Sequence, residues 1–330
     1  QIGRDLLRVA GRTNDRALEL EAHHAMWATS FWLGELSAVR HHAERGIALY
    51  DPDQHRSLAF LYGGHDPGVC CRWFTGWNSS LLGYSVQAHE ACDAAIALAE
   101  RVGHPPTIAI ALAWVCGLHY FERNAPVTQR YAQRLMDLSK EQNLPAWGAA
   151  GTIFHGWALT DATNDAALDE ILDGLAAAQA AGTLMPIAPL YKLALADAYR
   201  QRGAAEEGLR VIDETLAGMP ATGERVWHSE FHRLKGELLL VSSSSNHEGA
   251  ETCFRQALEI ARVQGARSWQ MRAATSLGRL LARQNRAHSA RQIVSDLYNW
   301  FTEGLETADL RDAKRLLDEV SNTVGAMPRT

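Results

Sequence analysis

The chain is 330 residues long, 47% hydrophobic, and carries a net charge of −6 with its 14 histidines neutral. That mild acidity excludes the bulk electrostatics of a general nucleic-acid binder, and no apolar run approaches the ~18 residues that a membrane-inserting helix needs. The five cysteines, Cys70, Cys71, Cys92, Cys116 and Cys253, form an odd set without CxxC spacing, which reads as reduced thiols in a cytoplasmic protein.

A small residue returns about every 40 residues, at Gly76, Gly117, Gly156, Ala196, Gly236 and Gly278, each inside a helix-like apolar stretch. Two helices of roughly 17 residues with short turns fill such a unit, and the small residue marks where the first helix admits its partner's backbone. The expectation is all-α: a tetratricopeptide-like, right-handed solenoid of about seven helical hairpins with a C-terminal capping helix, one continuous domain over residues 1–330. The lack of an internal linker suits one continuous array, and the start at Gln1 without a methionine is read as a piece of a larger multidomain polypeptide.

In chain order, second helices are predicted to start near Leu36, Ser85, Ala125, Asp165, Ala204, His247 and Arg286. Asp51-Pro52, His104-Pro105-Pro106, Leu144-Pro145, Met185-Pro186 and Met219-Pro220 are expected to end second helices, because proline cannot continue the helical hydrogen bonding. Gly83, Asn124 and Gly203 are expected to supply left-handed turn residues within hairpins, and Ser242 to Asn246 an enlarged loop. Thr307 to Val324 reads as the capping helix, with Asp312, Lys314, Arg315, Asp318 and Glu319 on its wet side.

The small, aromatic, small spacing of Ala250, Phe254 and Ala257, matched by Ala88, Cys92 and Ala95, resembles the second helices of tetratricopeptide repeats, although the unit is longer than their usual ~34 residues. The stretches His232 to Leu240, Trp300 to Leu310, His65 to Val69 and Leu98 to Pro105 resemble the C-terminal repeat region of large bacterial signalling proteins. Those proteins join a class III adenylate/guanylate cyclase or another output domain to a STAND-type ATPase and then to such repeats. The resemblance spans about residues 15 to 324 and implies a sensor and protein-interaction arm. No Gly-x-x-x-x-Gly-Lys-Ser/Thr loop and no cyclase-like metal carboxylates occur here, so neither enzymatic activity nor a cofactor is expected of this region.

Taking the small residue as a phase marker puts Trp73, Trp114, Ile153, Leu193, Arg233 and Thr275 in one inward column, and Trp77, Leu118, Trp157, Asp197, Glu237 and Arg279 in the next. A concave groove is expected, aromatic in its N-terminal half and charged in its C-terminal half, suited to a protein or peptide partner or a ring-bearing small molecule. The competing reading makes the tryptophans inter-repeat core, and makes Glu230, Arg233 and Glu237 a helix-surface ion-pair ladder. Tyr62, His65, Asp66 and Arg72 are candidates for one groove mouth, with Asp66 alternatively a helix cap. The pairs His23-His24 and His41-His42 lack the spacing of a zinc site and read as solvated or capping, and Cys70-Cys71 as buried small hydrophobes, since neighbours on a helix point about 100° apart. A self-associating scaffold without a small ligand, hence a homo-oligomer, is the alternative function.

Overall fold

The computed structural model describes residues 2–61, 64–182 and 187–325, and every regular element among them is helical. The first helices are α1 (Ile2–Thr13), α2 (Arg16–Leu33), α3 (Leu36–Leu49) and the short α4 (Pro52–His55) with a 3-10 turn, Arg56–Phe60. Next come α5 (Pro67–Leu82), α6 (Ser85–Val102), α7 (Pro105–Phe121), α8 (Ala125–Glu141), α9 (Pro145–Leu159) and α10 (Asp165–Ala180). The series closes with α11 (Ala188–Gln201), α12 (Ala205–Thr222), α13 (His228–Ser242), α14 (His247–Gln264), α15 (Arg267–Arg283), α16 (Ala287–Tyr298) and α17 (Ala308–Gly325). Apart from the short α4, each helix packs on its neighbours along the chain, which makes the array a helical solenoid.

The second-helix starts fall at or within one residue of their expected positions, because apolar periodicity and breakers coincide there. Helices α3, α6 and α8 end, as expected, just before Asp51-Pro52, His104-Pro105 and Leu144-Pro145. Pro52, Pro105 and Pro145 open the following helix, where the missing N–H is no loss, and Pro220 lies in the last turn of α12. Met185 and Pro186 lie outside the described residues. Gly83 takes the left-handed turn as expected, but in the next hairpin that conformation falls on Arg123 at φ 57°, one residue before Asn124. Asn124 instead accepts from the Val127 N–H and caps α8.

The small markers do permit close approach. A β-carbon at Gly76 would meet Cys92 and the Ala88 carbonyl, and one at Gly156 would come within 2.7 Å of the Ala167 carbonyl, both on the partner helix. Gly117 faces the Trp77 ring of the preceding hairpin instead, so there the small residue serves inter-repeat packing.

The solenoid also closes on itself. The N–H groups of Arg225 and Val226 donate to the Trp32 carbonyl, Ser268 donates to the Ser80 carbonyl at 2.6 Å, and α5 packs against α15. Glu303, in the loop before α17, accepts from the Val86 N–H at the start of α6, while Trp300 and Phe301 press on Gly83. Trp227 sits at the centre of this closure, wholly buried, stacked on Phe121 and edge-on to Phe31 and Trp77. Aromatic pairs of this kind contribute about 0.5–1.5 kcal/mol each beyond the area they bury. The open groove expected from the sequence is therefore largely filled by its own side chains.

Candidate functional site

Two cavities flank the filled centre. One, about 350 Å³, is lined mainly by rings and apolar groups, among them Trp32, Trp73, Trp114, Trp147 and Tyr191, with His24 and His65 in its wall. Helices α2, α5, α7, α9 and α11 all contribute, so the inward phase of successive first helices builds it. Trp73 lies flat on Trp114 with ring centroids 4.2 Å apart, leaving little of either ring free.

Behind this wall four side chains converge. His24 Nδ1 meets Glu21 Oε2 at 3.0 Å, its Nε2 meets Cys70 Sγ at 3.3 Å, and His65 stands edge-on to His24 with centroids 5.3 Å apart. Burial alone disfavours charge on both members of the pair, yet the opposite charges win: the Cys70 thiol is pulled down by His24 and His65, and the His24 imidazolium is held well above its ordinary value by Cys70 and Glu21. Cys71 points elsewhere, donating to the Gly68 carbonyl, and burial pushes its thiol up. Both cysteines are buried as expected, but Cys70, paired with His24, is more than a small hydrophobe. His24 is neither solvated nor a cap, since α2 presses it against α5. His23 does differ from it: its Nδ1 meets His42 Nδ1 at 2.8 Å, and burial and that neighbour push it down to about 4.

The second cavity, about 130 Å³, is polar and gathers Asp197, Arg233, Glu237 and Arg279 as the column alignment anticipated, together with Tyr120, Arg123, Glu230, Arg272, Asp309 and Asp312. Its charges are paired with one another. Arg233 grips Glu230 at 2.7 and 3.0 Å, and Arg272 joins Glu230 to Asp309 while donating to the Phe121 carbonyl. Arg123 and Arg279 both reach Asp312, which faces this cavity rather than the wet side of α17. Burial opposes the charge on Glu230 and Asp309, but the arginines prevail and hold both carboxyls below their ordinary range.

The remaining candidates separate. Trp77 is 1% exposed and its indole donates to the Trp114 carbonyl, which makes it core. Trp157 is buried and donates to Asp197 at 2.9 Å, so it acts on the polar cavity through that carboxylate. Asp66 caps α5 through the Val69 N–H and accepts from the Tyr50 hydroxyl; it is wholly buried and opens onto no mouth. Arg72 donates to the Gly68 carbonyl and lies over the Tyr50 ring. Tyr62 lies outside the described residues. Of the described members of that group, His65 reaches the aromatic cavity and Asp66 and Arg72 do not.

Among the described residues no helix is long and apolar enough to cross a membrane. No family model matches the sequence. The chain is similar to an uncharacterised protein of Rhizobium meliloti, 24% identical over 270 residues that make up 82% of this chain and 26% of that protein. The chain thus spans about a quarter of the length of the relative it matches.

Proposed function

We propose that this chain is the ligand-sensing and protein-interaction arm of a larger bacterial regulator, built as a tetratricopeptide-like solenoid of seven hairpins with α17 as its cap. Three observations support the reading: the resemblance to repeat regions of cyclase and STAND-type ATPase fusions, the much greater length of the Rhizobium relative, and the cavity beside α2. The cavity carries most weight, because about 350 Å³ of ring-lined space with two imidazoles in its wall fits a small apolar molecule bearing one polar group. Its occupant would tie first helices from five hairpins together and so favour one curvature of the solenoid, shifting the population of whatever switch the arm is attached to. Enzymatic output would belong to other parts of such a parent chain.

The test is native mass spectrometry of the purified chain for a copurified small molecule, with saturable binding of anilinonaphthalene sulfonate as the second readout. Ala28 borders the cavity, and Ala28→Phe fills it; a loss of dye affinity of about tenfold with helicity intact is expected. Absence of both a copurified molecule and saturable dye binding, or dye binding indifferent to Ala28→Phe, would remove the reading.

A further inference from the structure

The sensing role uses His24 and His65 only as polar spots in the cavity wall, whereas together with Glu21 and Cys70 behind that wall they have the geometry of a ligand set. From these residues we infer that the chain binds one zinc ion through Cys70 Sγ, His24 Nε2 and a ring nitrogen of His65, with the fourth position on the side of the aromatic cavity.

The three donors come from separate segments, α2, the loop before α5, and α5 itself, yet their ligand atoms all lie within 4.8 Å of one another. Tetrahedral ligands at ~2.3 Å for sulfur and ~2.0–2.1 Å for nitrogen lie roughly 3.5 Å apart. His24 Nε2 and Cys70 Sγ stand at 3.3 Å, so an ion fits after a small adjustment of side chains. Glu21 completes the arrangement. By accepting from Nδ1 it fixes the tautomer that leaves Nε2 free to ligate, as carboxylates do behind metal-bound histidines. One thiolate, one carboxylate and two neutral imidazoles around a divalent ion sum to zero, which suits a site walled by rings.

Thiolate with imidazole favours zinc over calcium or magnesium, which take oxygen ligands. The same pair could instead be read as a nucleophile and its base, with Glu21 orienting the imidazole. That reading fails on access, since Cys70 is 0% exposed and does not border the cavity, whereas His24 and His65 do. A zinc ion needs no such access for the sulfur, since the thiolate serves it as a ligand from inside the wall. The other group with metal-ligand spacing, His89, His119 and Glu122, includes no soft ligand.

The inference is independent of whether the cavity takes an apolar ligand, and its readout is the metal alone. Purified chain dialysed against a weak chelator is assayed for zinc, then stripped and titrated with Co²⁺ as the spectroscopic probe. About one equivalent of zinc and a near-ultraviolet thiolate-to-cobalt band are expected, both lost in Cys70→Ser and retained in Cys71→Ser. Glu21→Gln should weaken binding about 10–100-fold. Should Cys70→Ser fail to fold, His65→Ala decides, since His65 sits on a loop and its loss should still reduce affinity by at least about tenfold. No stoichiometric metal in the wild-type chain, or undiminished cobalt binding by a helical Cys70→Ser or His65→Ala variant, overturns the assignment.

Discussion

The indole N–H of Trp77 donates to the main-chain carbonyl of Trp114, 37 residues later, at 2.9 Å. The ring that makes this bond fills the space left by Gly117 and lies edge-on to Trp227, so one side chain couples α5, α7 and the turn before α13. Trp77→Ala should therefore cost about 3–5 kcal/mol in urea unfolding, as for other large-to-small core changes. A loss below about 0.5 kcal/mol would mean the ring is a surface for partners after all.

Arg272 occupies an equivalent place among the charges, touching Glu230, Asp309 and the Phe121 carbonyl. Arg272→Met should cost about 3 kcal/mol, the low end for breaking a buried pair, because Arg233 and Arg123 remain beside the two carboxylates. Hydrogen exchange should show α17 opening more readily in the variant, and exchange unchanged there would contradict the role given to this guanidinium.

Two glycines of α9 separate close packing from helix propensity. Gly156→Ala would place a β-carbon 2.7 Å from the Ala167 carbonyl and should lower stability by about 1–3 kcal/mol. Gly148→Ala meets only Ser139 at 3.4 Å, an ordinary contact, and should be neutral or raise stability by up to ~1 kcal/mol. Equal effects in thermal melts would dismiss the packing explanation.

Glu224, in the turn between α12 and α13, is 5% exposed, and burial pushes its carboxyl from an ordinary 4.5 to about 7 against a hydrogen bond from Trp227. Between those values the folded chain keeps a proton that the unfolded chain releases, so this group's contribution to stability falls as pH rises through the window. The whole effect is on the order of 3 kcal/mol. Glu224→Gln should thus melt higher than the parent at about pH 8 and nearly with it at about pH 4. A constant difference at both would show that Glu224 does not titrate in this range.

Much of this architecture was legible because helix starts depend on local chemistry: Ser85, Ala125, Asp165 and His247 each begin a helix where periodicity and breakers predict one. The polar cavity was legible for the same reason, since Asp197, Arg233, Glu237 and Arg279 share a phase that successive repeats preserve. Phase does not report pitch, however. Whether first helices line an open groove or meet across it depends on small rotations between hairpins, which no single repeat encodes, and so Trp77 and Asp312 were placed on the wrong side of that question. The Cys70 and His24 pair, 46 residues apart, was hidden likewise: each looked ordinary within its own helix. A left-handed Arg123 had no local signal either; its guanidinium is held by Asp309 and Asp312, the latter 189 residues away.

Glu303 accepting from Val86 across 217 residues makes the array a loop in the mechanical sense. An open spring yields at each joint, and its end turns can fray while the middle holds. Here the last turns brace the early ones, so deleting α17 would not trim one unit from an otherwise intact rod but would strip both carboxylates from Arg123, take Asp309 from Arg272 and loosen the seam around Trp227. A tug on one end is felt at the other without travelling through the intervening hairpins. On the proposed reading as a sensing arm, that rigidity would make its response closer to that of a latch than of a coil.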